Sequence, residues 1–142
     1  EGWAVGMAGQ GDQWYLLPPK DHPSAQKSLD LLARARAEGS ISLAALLTGS
    51  ESFLPPPPFM LVVITPSTSG DWPLAVRSLQ QRGALVNVVL VDPASFGGAE
   101  GASQIAQQLT KAGILTYLVR RGDNLATALD ARSNAGLRRR LV

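Results

Sequence analysis

The sequence predicts an α/β fold in three layers, built on a mostly parallel open sheet with an antiparallel hairpin at its edge. Three apolar runs of strand length support this class, at Phe59–Thr65, 85–91 and 114–119. The first run has no polar alternation, which is typical of a strand buried on both faces. Helical segments separate the runs, and strands that alternate with helices form right-handed crossovers and a parallel sheet.

The composition indicates a globular chain with a core of its own. The chain has 142 residues, of which 45% are apolar and 17% are charged, and we expect one domain over 1–142. Its longest apolar runs fall short of the ~20 residues that a membrane helix needs. Because residue 1 is a glutamate rather than a methionine, we expect this domain to be a piece of a longer protein.

Charge and cysteine content exclude several classes of function. The formal net charge of +2 is too small to predict a nucleic-acid partner. The sequence has no cysteine, which excludes disulfides, zinc ribbons and thiol catalysis. His22 is the single histidine and lies in a predicted loop, so neither a zinc site nor a Ser-His-Asp triad is expected. We therefore predict no cofactor, no catalytic residues and no metal ligands.

The first half of the chain predicts a hairpin followed by two helices. The hairpin joins 3–8 to 13–17 across a glycine-rich loop, and the Pro18-Pro19 pair should end its second strand, since proline cannot donate to a ladder. Apolar residues at 3.6-residue spacing predict a helix over 24–37, with its N-cap at residue 24. A shorter helix is predicted over 42–47, with its N-cap at residue 42.

Three helices are predicted in the second half. The first covers 71–82, with Asp71 as its N-cap, a proline in its first turn and Gly83 directly after its end. The second covers 102–112. The third covers 125–132, and either Asp123 or Asn124 can cap it.

Three loops follow the carboxyl ends of the predicted parallel strands, over 65–71, 92–98 and 120–123. In an open sheet these ends lie at one edge, where ligands usually bind. The loops are rich in polar side chains, and the second also carries an aromatic one. The residues that we predict to form an interaction or ligand rim are Thr65, Ser67, Thr68, Ser69, Asp71, Asp92, Ser95, Phe96, Arg120, Arg121 and Asp123.

Two interpretations of these polar loops stay open. In the first, the hydroxyls and the helix N-terminus at 67–70 bind a phosphate with help from Arg120 or Arg121. In the second, the polar side chains cap helices and form turns. The role of Asp92 is also open: it can be a metal ligand, a general base or the start of a turn at Pro93. The glycine patterns of the common nucleotide-binding motifs do not occur.

Five segments carry a resemblance to a known family: LVVITPS at 61–67, QRG at 81–83, VLVDPASFGG at 89–98, AGI at 112–114 and YLVRRGD at 117–123. In them the chain resembles the C-terminal half of the bacterial "domain of unknown function fifty-eight" proteins. The early segments at 5–7, 17–19 and 29–34 fit as well, so the resemblance spans nearly the whole chain. The stretch DPASFGG at 92–98 is its most specific part.

This resemblance implies a von Willebrand factor A-like, Rossmann-like domain with a degenerate metal site. Many A domains bind a divalent metal through an Asp-x-Ser-x-Ser loop, a threonine and a later aspartate, which are oxygen ligands that suit magnesium. No Asp-x-Ser-x-Ser motif occurs in this chain, and Pro66 stands where the later aspartate would follow Ile64 and Thr65. A bound metal is therefore not expected.

The resemblance also implies that the sheet lacks its first strand. In the A-type fold a central first strand precedes the hairpin, whereas this chain starts at the hairpin. Phe59–Thr65 should then lie near the hairpin or beside a strand of a second molecule. An exposed flat edge invites such pairing, so we expect a homo-oligomer that forms through this edge.

Members of the family are commonly encoded beside MoxR-type AAA+ ATPases. The resemblance therefore implies a non-enzymatic adaptor that works with such an ATPase. It also implies a cytoplasmic location, as the soluble part of a membrane-anchored protein. The alternative is a small α/β enzyme that binds a phosphorylated small molecule at 67–70. In the adaptor hypothesis Phe96 is the expected anchor, because aromatic residues often carry binding energy.

Overall fold

Two compact units divide the chain, Glu1–Pro55 and Pro56–Val142. The computed structural model describes residues 5–10, 14–20, 25–49 and 54–130. Among these residues the first unit holds two strands and two helices, and the second holds three strands, three α-helices and a 3₁₀ turn. The single domain expected over 1–142 stays a prediction.

The hairpin of the first unit forms a sheet of its own. Strand β1, Val5–Gln10, pairs antiparallel with β2, Trp14–Lys20. In the described residues neither strand is hydrogen-bonded to the parallel sheet, so the edge position of the hairpin stays a prediction. The Pro18-Pro19 pair removes two donors from β2, which weakens any further pairing by that strand.

The sequence predicts that the Pro18-Pro19 pair ends the second strand, and this prediction is wrong. Strand β2 continues to Lys20, which lies opposite Val5. The register shifts between Val5 and Met7, so the prolines are accommodated at an irregularity in the ladder. The predicted hairpin is therefore confirmed, with a longer second strand.

Two helices follow in the first unit. Helix α1, Ala25–Arg34, is shorter than the predicted 24–37, and its expected N-cap at residue 24 lies outside the described residues. Helix α2, Leu43–Gly49, begins as predicted, because the Ser42 Oγ accepts a hydrogen bond from the backbone N–H of Ala45 at 3.2 Å.

The second unit is built on a parallel sheet of three strands, which confirms the α/β class and the open sheet. Strand β3 is Phe59–Thr65, β4 is Ala84–Val91 and β5 is Leu115–Val119. Their order is β3-β4-β5, so β4 is central and β3 lies at an edge. The first of these strands matches its predicted bounds, and the other two differ by one residue at the start.

Two helices connect these strands and pack side by side. Helix α3, Trp72–Gln81, contacts β4, and α4, Ala102–Lys111, contacts β4, β5 and α3. Crossovers of the same hand that step in the same direction place both helices on the same face of a sheet. A short helix α5, Leu125–Ala128, contacts β5. None of the helices in the described residues has the length and the apolar character to span a membrane.

The core of the second unit lies between these two helices and one face of the sheet. Every second residue of β4 from Ala84 to Leu90 is buried, as expected for a strand with one covered face. The helices contribute apolar side chains at 3.6-residue spacing. The buried helix residues are Trp72, Pro73, Val76, Leu79, Ala102, Ile105, Ala106 and Leu109.

The other face of the sheet is open over β3 and the start of β4. Its apolar side chains are largely exposed, at 56% for Met60, 50% for Val62, 70% for Ile64 and 64% for Leu85. These four residues are called the open face below. The prediction that Phe59–Thr65 is buried on both faces is therefore wrong, because three of its side chains are exposed on this face. The physical reason is that α3 and α4 both pack against the opposite face.

Candidate functional site

Asp92 and Ser95 tie the loop after β4 to the loop after β5. The Asp92 Oδ2 accepts a hydrogen bond from the Arg120 Nε at 3.3 Å, in an ion pair whose side chains are 16% and 56% exposed, respectively. The Ser95 Oγ donates to the backbone oxygen of Asp92 at 2.8 Å and accepts from the backbone N–H of Arg121 at 2.9 Å. These contacts bring the two loops into one network.

The second carboxylate oxygen of Asp92 caps the start of a 3₁₀ turn over Pro93–Phe96. It accepts a hydrogen bond from the backbone N–H of Ala94 at 3.1 Å. Both carboxylate oxygens of Asp92 therefore have protein partners, and of the open interpretations this contact favours the turn. Gly97 ends the turn in the left-handed conformation, with φ of 85°.

Asp123 closes the loop after β5 rather than capping the next helix. Its Oδ2 accepts a hydrogen bond from the backbone N–H of Arg120 at 2.8 Å, and its own backbone N–H donates to the Arg120 oxygen at 3.1 Å. The cap of α5 is Asn124, whose side chain accepts from the backbone N–H of Thr127 at 3.2 Å. This resolves the choice that the sequence left open between the two residues.

The loop after β3 is organised by its own hydroxyl groups. Thr65 is buried, and its Oγ1 accepts a hydrogen bond from the backbone N–H of Ser67 at 3.1 Å. The Ser67 Oγ in turn accepts from the backbone N–H of Ser69 at 3.4 Å. These serine and threonine side chains therefore shape the loop, as the turn interpretation expects.

The start of α3 already carries a negative charge. Asp71 occupies the N-cap position, as predicted, but its side chain makes no hydrogen bond to the helix and instead accepts one from the Ser69 Oγ. A helix N-terminus attracts an anion, whereas a carboxylate at the same position repels it, so the two interactions oppose each other. The phosphate-binding alternative at 67–70 stays a prediction, and this charge does not favour it.

Thr68 links the loop after β3 to the segment that follows the loop after β4. A Cβ built on Gly101 would lie 3.3 Å from the Cβ of Thr68, so these two residues are in close approach. Within the described part of the chain, no hydrogen bond joins the loop after β3 to the network around Asp92. The described hydrogen bonds therefore divide the predicted rim into two groups of loop residues.

Sequence reasoning missed the role of Trp72 in this region. Its side chain is fully buried, and its Nε1 donates a hydrogen bond to the backbone oxygen of Ser67 at 3.2 Å. Trp72 thus connects the core to the loop after β3. Its place directly after a run of small polar residues was the available signal, because a buried indole N–H needs an acceptor nearby.

Two glycines of the loops provide a test of the turn geometry. Gly97 has a positive φ and Gly70 does not, while a Cβ at either position would meet no atom within 4 Å. We expect Gly97→Ala to lower the free energy of unfolding by about 1–2 kcal/mol, the cost of a left-handed conformation for a residue with a Cβ. Gly70→Ala should be neutral or slightly stabilising. Urea denaturation of both variants measures the difference, and equal stabilities would contradict the turn geometry.

Phe96 and Arg121 are exposed residues next to the network that their neighbours form. Phe96 is 56% exposed at the end of the 3₁₀ turn, and the Arg121 side chain is also exposed. No group of three or more His, Asp or Glu side chains in the described ranges is placed to hold a metal ion. The rim thus combines loops held by their own polar side chains with an exposed aromatic residue.

Comparisons with known proteins find no match for this chain among protein-family models, curated protein sequences or solved structures. The similarity to the "domain of unknown function fifty-eight" proteins therefore rests on the sequence segments alone and stays a prediction.

Proposed function

We propose that this chain is a non-enzymatic protein-interaction module that contacts its partner through the rim. The observation that carries the proposal is the contrast between the polar rim residues and Phe96. The side chains of Asp92, Ser95 and Asp123 all bond to the backbone of their own loops, whereas Phe96 stays 56% exposed. Such an arrangement is suited to protein contact, because a held loop presents an aromatic anchor at low entropic cost.

The resemblance supports a MoxR-type AAA+ ATPase as the partner. It also supports a cytoplasmic location and a tether to the membrane through a longer protein of which this chain is the soluble part. The homo-oligomer expected through the edge of β3 stays a prediction and is not part of this proposal. Among the described residues β3 has a hydrogen-bonded neighbour on one side only.

Binding of the ATPase to immobilised protein tests this proposal. The full chain is used to capture proteins from a lysate of the source organism, and mass spectrometry identifies them. A captured MoxR-type ATPase is then purified and titrated against the chain. We expect Phe96→Ala to weaken this binding by roughly tenfold or more, as is typical when an aromatic anchor is truncated.

Leu74→Ala is the matched control. Leu74 lies on α3 and is 64% exposed, which is close to the exposure of Phe96, but it lies outside the rim. Its replacement should leave binding unchanged. The proposal fails if no such ATPase is enriched, or if Phe96→Ala binds as tightly as the unchanged chain.

A further inference from the structure

The open face of the parallel sheet is apolar and free of charge. Alternate residues of β3 and β4 form it, and the strand register places Met60 beside Leu85 and Ile64 beside Val89. None of the residues of β3, β4 and β5 is charged. Natural sheets usually carry charged or otherwise protective residues where a strand is exposed, and β3 carries none.

The exposed apolar area is large for a unit of this size. Four large side chains that are each half or more exposed present on the order of 400 Å² of apolar surface, which is comparable with the largest patch of a typical monomer. Asn87 and Val89 of β4 and Leu115 and Tyr117 of β5 are half-buried and extend the same face, since the register pairs them with one another.

This area matches the lower end of what a stable dimer needs. If two copies bring their open faces together, the four residues and their half-buried neighbours bury about 1,000–1,200 Å² in total, which reaches the range of specific interfaces. The absence of charge favours a second copy as the occupant. In a two-fold symmetric contact a patch meets itself, so charges on it would meet like charges, whereas an uncharged apolar patch meets no repulsion.

We propose that the open face is a homodimer interface, in which the open faces of two copies pack against each other. This places the contact between copies on the face of the sheet rather than on the edge of β3. The two arrangements differ at Leu85, which lies on the open face but belongs to the central strand β4. A contact through the edge of β3 does not involve Leu85.

Sedimentation equilibrium of the full chain, over a wide range of concentration, tests this proposal. The unchanged chain should dimerise in the micromolar range, as expected for an interface of this size. Ile64→Glu and Leu85→Glu should each weaken dimerisation by at least about tenfold, because each buries an unpaired charge between the copies. Leu74→Glu is the control, since Leu74 is as exposed as Leu85 but lies on α3. Circular dichroism of each variant checks that it is folded.

Three results would overturn the proposal. The first is a chain that stays monomeric at every concentration. Fast oxidation of Met60 in that monomer would show that the open face is exposed to solvent. The second is a dimer that Ile64→Glu weakens while Leu85→Glu leaves it intact, which would indicate pairing through the edge of β3. The third is a dimer that Leu74→Glu weakens as much as the other two, which would indicate a contact through the helix layer.

Discussion

Replacing Leu109 by alanine should lower the free energy of unfolding of the second unit by about 3 kcal/mol, within a range of about 2–5 kcal/mol for such a change. Leu109 has no exposed surface, and it lies on α4 where that helix faces the sheet and α3. The shorter side chain loses its transfer free energy and leaves a cavity that the surrounding helices and strands cannot fill without shifting. This loss is a large share of the stability of a unit of this length.

Hydrogen exchange of the β4 amides measures this loss in the second unit alone. The central strand exchanges through global opening of its unit, so about 3 kcal/mol should raise its exchange rates by roughly two powers of ten. Leu74→Ala is again the control, because a 64% exposed side chain contributes little burial and its truncation should cost less than about 0.5 kcal/mol. Equal exchange in the two variants would mean that α4 is not packed as described.

The sequence predicted the parallel sheet well because its signals there are local and strong. Phe59–Thr65 is an unbroken apolar run, and a helix cap or a turn residue follows each parallel strand. Such signals depend on neighbours within a few residues, so they can be recognised in the sequence without knowledge of the tertiary structure. Gly83, with φ of 100° directly after Arg82, the C-cap residue of α3, is another such local signal.

Whether one face or both faces of β3 are buried could not be predicted, because this depends on how many helices cover the sheet. An unbroken apolar run is compatible with two covered faces, but it does not show that helices cover the second face. Here both crossover helices lie on one side, and Ile64 on the other side stays 70% exposed. The Pro18-Pro19 pair shows a similar limit, since a two-stranded sheet tolerates prolines at an irregular register.

The candidate site was predicted as a set of residues but not as a set of contacts. The polar residues were expected along one rim. In the structure Asp92 and Asp123 bond to Arg120, and Ser95 bonds to the backbone of Arg121. Which hydroxyl or carboxylate bonds to which backbone group depends on distances between loops that are far apart in sequence. The hydrogen bond of Trp72 was missed for the same reason, because its acceptor, the Ser67 oxygen, is defined only by the folded loop.

Replacing Trp72 by alanine should have a larger effect than Leu109→Ala, at about 4 kcal/mol, within a range of about 3–5 kcal/mol. The side chain is fully buried at the first turn of α3, so its removal leaves a large cavity between the helix and the sheet. It also removes the donor to the Ser67 oxygen, which is then left without this partner in a partly buried loop.

Trp72→Phe separates these two effects. Phenylalanine keeps most of the packing and loses the indole N–H, so the stability should fall by only about 1–2 kcal/mol. The hydrogen bond holds the loop after β3 against the core. The rate of hydrogen exchange in residues 67–71 should therefore rise in Trp72→Phe. This rise should exceed that in a variant of equal stability that is altered elsewhere in the core. Ile105→Val, at a buried residue of α4, is a suitable comparison, since it costs about 0.5–1.5 kcal/mol and leaves the indole in place. If both variants expose the loop to the same degree, the indole contributes packing alone and the link between the core and the rim does not depend on its hydrogen bond.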